Sequence, residues 1–215
     1  MTQMYEAVIF DLDGTLIDSS EGIILAVEEA VGILGYPRME REEIRSYIGP
    51  PVGEAIIKRN GLGNDDLIRF NSVFRDIYKN RYLMRAEIYP GVMEMLSDLK
   101  DIMRVGIATN KREDYTKILL DGMGISPFCD AVEGLDLEGK LKKKDIVERC
   151  INALGVADRK KIAVVGDTVT DARAAMECGT DFIGVTFGFG FRNERDVPFG
   201  KAVSDVPGIR RALLG

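Results

Sequence analysis

Four short runs constrain this chain more than any other feature: YEAVIFD at residues 5–11, MRVGIAT at 103–109, KIAVVG at 161–166 and DFIGV at 181–185. Each is nearly all apolar rather than alternating, so each predicts a strand buried on both faces. Between and after them lie amphipathic stretches stopped by glycine. Helices are predicted over 92–100, over 114–121 with Gly122 and Gly124 behind it, over 144–154 ended by Gly155, and over 171–178 ended by Gly179. Residues 201–204 offer a further strand. Strands that alternate with helices bury both faces as a parallel sheet layered on each side, a doubly wound α/β fold.

The first crossover does not fit that pattern. About 90 residues separate the first strand from the second, where a strand–helix–strand unit needs about 30. The excess predicts helices: one from the Asp18, Ser19 and Ser20 cap region to about Leu34, one over 40–47, one over 52–59 after the GPP break at 49–51, and one over 65–83. Phe70, Phe74, Tyr78 and Tyr82 recur every fourth residue, the spacing of one buried helix face. The expected organisation is therefore an α/β core made of 1–16 and 85–215, with an inserted helical domain over 17–84. Ligands of such sheets bind beyond the carboxyl ends of the strands. An insertion leaving the first strand there is expected to act as a lid.

Composition narrows the chemistry. There is no histidine, which removes Ser-His-Asp and Cys-His nucleophiles and His-ligated metals. Catalysis near neutral pH must then rest on carboxylates, lysine, tyrosine, cysteine, backbone amides or a bound ion. The three cysteines, Cys129, Cys150 and Cys178, form no CxxC pair and are expected to be small buried hydrophobes. With 29 Lys plus Arg against 35 Asp plus Glu, the net charge is -6, so no attraction for nucleic acid or anionic membrane is expected. The start lacks the pattern of a cleavable leader, and no apolar run reaches membrane-spanning length. A cytoplasmic location is the expectation.

The polar residues at the predicted strand ends are acidic. Asp11 and Asp13 follow the first strand, two apart, and so can face one site. Thr109 and Asn110 end the second, Asp167 follows another, Asp171 stands four further on, and Lys142–Lys144 precede a helix. Grouped carboxylates repel unless cations join them. Asp11, Asp167 and Asp171 suit a hard divalent ion such as Mg²⁺. Taken singly, a strand-end Asp or Thr is an ordinary turn residue and a lysine run a solvated face. GVTFGFG at 184–190 lacks the Lys-Ser/Thr ending of a phosphate loop and is expected to be a glycine-rich connection.

DLDGTLIDS at 11–19, Thr109-Asn110, a lysine of 142–144 and GDTVTD at 166–171 resemble, in order, the four motifs of the haloacid dehalogenase superfamily in its phosphatase branch. IGPPVGEA at 48–55 and YPGVMEML at 89–96 are similar to segments of its phosphoglycolate phosphatase-like subgroup with a helical cap. The resemblance implies a Mg²⁺-dependent phosphatase acting on a small phosphorylated metabolite. Asp11 would be the nucleophile and Asp13 the acid for the leaving alkoxide, with the Asp13 carbonyl also on the metal. Thr109 and the Asn110 amide would hold phosphoryl oxygens, and Asp11, Asp13, Asp167 and Asp171 would form the metal site. The register of Ile146, Val147, Ile151 and Leu154 matches the family best with Lys143 in the functional place. Arg45, Tyr47 and the 49–51 loop are candidates for facing the substrate. A sugar phosphomutase, an inorganic pyrophosphatase or a nucleotidase would share the scaffold, and a phosphate-accepting signalling module would share part of the acidic cluster.

Overall fold

The computed structural model describes residues 5–49 and 51–215, which divide into two compact units: 5–18 with 88–215, and 19–87. The expected joints at 16/17 and 84/85 thus stand two to three residues from the observed ones.

The first unit holds a six-stranded parallel sheet. Its strands are β1 (Ala7–Phe10), β4 (Arg104–Arg112), β5 (Ala131–Leu135), β6 (Ile162–Gly166), β7 (Asp181–Val185) and β8 (Lys201–Val203). They lie in the order β5-β4-β1-β6-β7-β8, all paired parallel. Counted within the sheet this is third-second-first-fourth-fifth-sixth, the doubly wound order, with its reversal at β1. β1 is buried on both faces because α7 (Lys143–Leu154) and α8 (Val169–Cys178) cover one side. On the other side α5 (Val92–Lys100) and α6 (Glu113–Gly122) pack on β4. A two-residue pair, β2 (Ile17–Asp18) and β3 (Glu87–Ile88), joins the two connecting segments. α9 (Val206–Leu214) closes the chain against β8 and α5.

α7 approaches the sheet closely. A Cβ on Gly106 of β4 would stand 2.5 Å from Cys150 Sγ and 3.0 Å from Leu154 Cδ1 of that helix. Cys150 is thus a small core side chain, and burial drives its thiol upward; Cys129 is pushed up to about 12 and Cys178 to about 11 for the same reason.

β4 does not stop at Thr109 but runs through Arg112, with its register against β5 shifting between Ala108 and Arg112. β5 and α9 were not expected. AVEGL carries Glu133 and Gly134 inside a short edge strand that is only partly covered, so its apolar signal is broken.

The second unit is helical: α1 (Ser20–Leu34), α2 (Arg41–Arg45), α3 (Val52–Arg59) and α4 (Asn64–Ile77). The helix expected to reach 83 instead widens after Ile77 into a π turn over Tyr78–Tyr82. Ser19 occupies the α1 N-cap but its hydroxyl makes no capping bond. Phe70, Phe74 and Tyr78 stack in sequence with centroids 5.9 and 5.6 Å apart. Phe70 and Tyr78 are buried, while Phe74 and Tyr82 are half-buried. No helix among the described residues is long and apolar enough to cross a membrane.

Candidate active site

The sheet order sets β1 between β4 and β6, so their carboxyl ends bring three stretches of chain together. β1 delivers Asp11 and Asp13. The turn after them needs Gly14, whose φ of +84° is a left-handed conformation. β6 delivers Asp167. The helix that follows, α8, starts with a capping box: Thr168 Oγ1 accepts from the Asp171 amide at 3.3 Å, and Asp171 Oδ2 accepts from the Thr168 amide at 3.0 Å. The same oxygen takes the Thr168 hydroxyl at 2.5 Å. That leaves Asp171 Oδ1 to face inward. α7, which crosses from the β5 side back to β6, begins at Lys143 and so places that side chain in the same cluster.

Lys143 Nζ donates to Asp11 Oδ1 at 2.5 Å and forms an ion pair with Asp171 Oδ1 at 2.7 Å. Lys142 and Lys144 are exposed. Asp11, Asp167 and Asp171 can each offer an oxygen within 4.8 Å of the others, and all three are buried. Three carboxylates against one ammonium leave a surplus of negative charge in a volume with little solvent. Burial pushes Asp11 up to about 7, against the attraction of Lys143, with Asp171 and Asp13 adding to the rise. Burial also pushes Asp167 up to about 8, helped by Asp11 and Asp171 and opposed by two backbone amides. Burial acts against the Lys143 ammonium, yet the charges of Asp11 and Asp171 hold it above the ordinary lysine value. One divalent cation would cancel the surplus. The donors are hard carboxylate oxygens, and Asp167 Oδ1 is buried without a hydrogen-bond partner, so the site fits a metal of the Mg²⁺ type.

Asp167 is oriented by the glycine-rich connection after β7. Its Oδ2 accepts the Phe189 amide at 2.6 Å and the Gly190 amide at 3.1 Å. A Cβ on Gly188 would lie 2.5 Å from that oxygen, and one on Gly14 or Gly190 would collide with Asp167 as well. Sequence reasoning took this segment for a plain connection. Its alternating Phe-Gly pattern was the available signal, but nothing local pointed to a carboxylate 22 residues away.

Asp13 is not a member of the three-carboxylate cluster. Its Oδ2 accepts Lys111 Nζ at 2.8 Å, and its Oδ1 is buried with no hydrogen-bond partner. Lys111, two residues past Thr109 on β4, was also missed. Thr109 is buried and its Oγ1 accepts the Lys111 amide at 3.2 Å; Asn110 is half-buried beside it. In the helical unit Arg45 donates to Ser20 Oγ at 2.9 Å and Tyr47 to Glu43 Oε1 at 3.1 Å. Of the 49–51 loop, residue 50 lies outside the described residues.

A family model described as haloacid dehalogenase-like hydrolase matches residues 8–185. A probable phosphatase, IndB, of Dickeya dadantii is 32% identical over 221 residues, covering 98% of this chain and 96% of its own. A phosphoglycolate phosphatase of Vibrio parahaemolyticus is 29% identical over 199 residues, covering 88% and 87% respectively. The crystal structure of a predicted phosphatase from Clostridium acetobutylicum superposes with a TM-score of 0.90 at 27% identity, over 98% of this chain and 99% of that one.

Proposed function

Because the chain belongs to the haloacid dehalogenase-like hydrolase family, we propose that it is a Mg²⁺-dependent phosphatase. Its substrate would be a small phosphomonoester of the phosphoglycolate kind, hydrolysed through an aspartyl phosphate on Asp11. The phosphatase names among its relatives support the reaction class. The single observation that carries the reading is the buried Asp11–Lys143 pair set among carboxylates that lack one divalent cation of neutrality.

In this reading Asp11 attacks phosphorus directly, since an ionised carboxylate needs no base. The phosphorus–oxygen bond to the leaving alkoxide breaks as Asp13 gives that oxygen its proton. Asp13 then takes a proton from the water that hydrolyses the acyl phosphate, which returns Asp11 and frees inorganic phosphate. Thr109 and the Asn110 amide hold the phosphoryl oxygens, and Lys143 keeps positive charge beside the nucleophile. Asp11, Asp167, Asp171 and the Asp13 carbonyl would hold Mg²⁺, which would supply neutralisation for an anion attacking an anion. We assign the helical unit the part of lid and substrate selector, because it is inserted directly behind the DxDGT segment.

The test is trapping of phosphate on the protein during turnover, with and without chelator. Wild type should release phosphate over many turnovers with Mg²⁺ and stop in chelator. Asp11→Asn should bind no covalent phosphate, and Asp13→Asn should accumulate it from an activated ester. Full activity in chelator removes the metal from the mechanism, and labelled Asp11→Asn removes the nucleophile. A single turnover that leaves a stable phosphoprotein in the wild type would indicate a signalling module instead.

A further inference from the structure

A second sequestered ammonium stands at the same strand ends, and no step above uses it. The Lys111 side chain is 6% exposed, with Nζ 2.8 Å from Asp13 Oδ2. Lys111 follows Thr109 by two residues and its amide donates to Thr109 Oγ1 at 3.2 Å, so this cation's backbone is tied to the residue that would hold the phosphoryl group. The neighbouring cation, Arg112, is directed elsewhere: it donates to both oxygens of Asp114 at 3.0 and 2.9 Å and lies over the Tyr115 ring.

We propose that Lys111 sets substrate specificity by reading a second anionic group, a carboxylate or its equivalent, on the leaving part of the phosphomonoester. This rests on the reading of Asp13 as the leaving-group acid. Asp13 Oδ1 is the carboxylate oxygen with no partner, and it is the one left to address the ester oxygen. With Lys111 on Oδ2 and the ester oxygen on Oδ1, cation and ester oxygen stand on the two oxygens of one carboxylate, within reach of a single short substituent. A carboxylate on the carbon next to the ester oxygen is such a substituent. Its charge meets an ammonium already stripped of most water and already held in place, so little is lost in ordering the flexible stem. A neutral substituent at the same place leaves that cation without the added partner. The substrate feature read by Lys111 is therefore a second anion close to the ester oxygen.

The test compares kcat/KM for 2-phosphoglycolate and for 2-hydroxyethyl phosphate, the same skeleton without the carboxylate charge. Wild type should favour the carboxylate. Lys111→Met should shrink that preference by a factor on the order of 30, the discrimination typical of one desolvated charge contact, and Lys111→Arg should keep most of it. Thermal melts of the three proteins show whether each is folded. The ratio is the readout because a residue that only held Asp13 in place would lower both rates alike. An unchanged ratio in Lys111→Met, whatever the rates, overturns the inference while the phosphatase reading stands. Phosphate release from neither ester by wild type overturns both.

Discussion

Asp167 is oriented mainly by atoms that carry no side chain. Two backbone amides fix its Oδ2, and three glycines leave the room for them. The result is a carboxylate with one oxygen engaged and the other, Oδ1, buried with no hydrogen-bond partner. Partners of this kind set metal affinity by holding a ligand in place before the ion arrives. Gly188→Ala places a methyl against Asp167 Oδ2 and the Gly14 carbonyl. We expect its Mg²⁺ dissociation constant, measured by calorimetry, to rise by about 10- to 100-fold, with the protein still folded by circular dichroism. An unchanged dissociation constant would show that the loop does not position the ligand.

At the level of elements, the decisive contact is α7 on β4, because α7 carries Lys143 at its first turn. The helix lies close because position 106 has no side chain where Cys150 and Leu154 press on the strand. Gly106→Ala should therefore overpack this layer and destabilise the fold by about 2 kcal/mol in urea titration. Adding Cys150→Ala removes the sulfur that the new methyl would meet, so most of that loss should return in the double variant. Equal losses in both backgrounds would mean that the strain comes from the strand backbone and not from the helix contact.

For the whole molecule, charge balance links metal, pH and stability. Burial pushes folded Asp11 up to about 7 and Asp167 up to about 8, above the ordinary aspartate value of 3.8. Without metal, their contribution to stability is thus fully present below about pH 4 and is lost as pH rises through 7 and 8. Mg²⁺ needs the ionised carboxylates, so the rise in melting temperature on adding it should be larger at pH 8.5 than at pH 5.5. A shift of the same size at both values would count against metal binding at this cluster. The fold that holds the cluster together was largely legible in the residue order. Uniformly apolar strands, glycine-stopped helices and an overlong first crossover are local or counting signals, and they survive in a single chain because burial on both faces forces them. DxDGT and GDTVTD were legible for the same reason, since each packs its chemistry into one turn. Helix register lets one lysine in a run of three point inward, and the resemblance to the family segment singled out Lys143. AVEGL escaped because an edge strand needs little apolar cover. Lys111 against Asp13 and the Phe189 and Gly190 amides against Asp167 escaped for a different reason. These partners lie 98, 22 and 23 residues apart. Only the tertiary order β4-β1-β6-β7 brings their strand ends side by side, and no periodicity along the chain records which polar atom will then meet which.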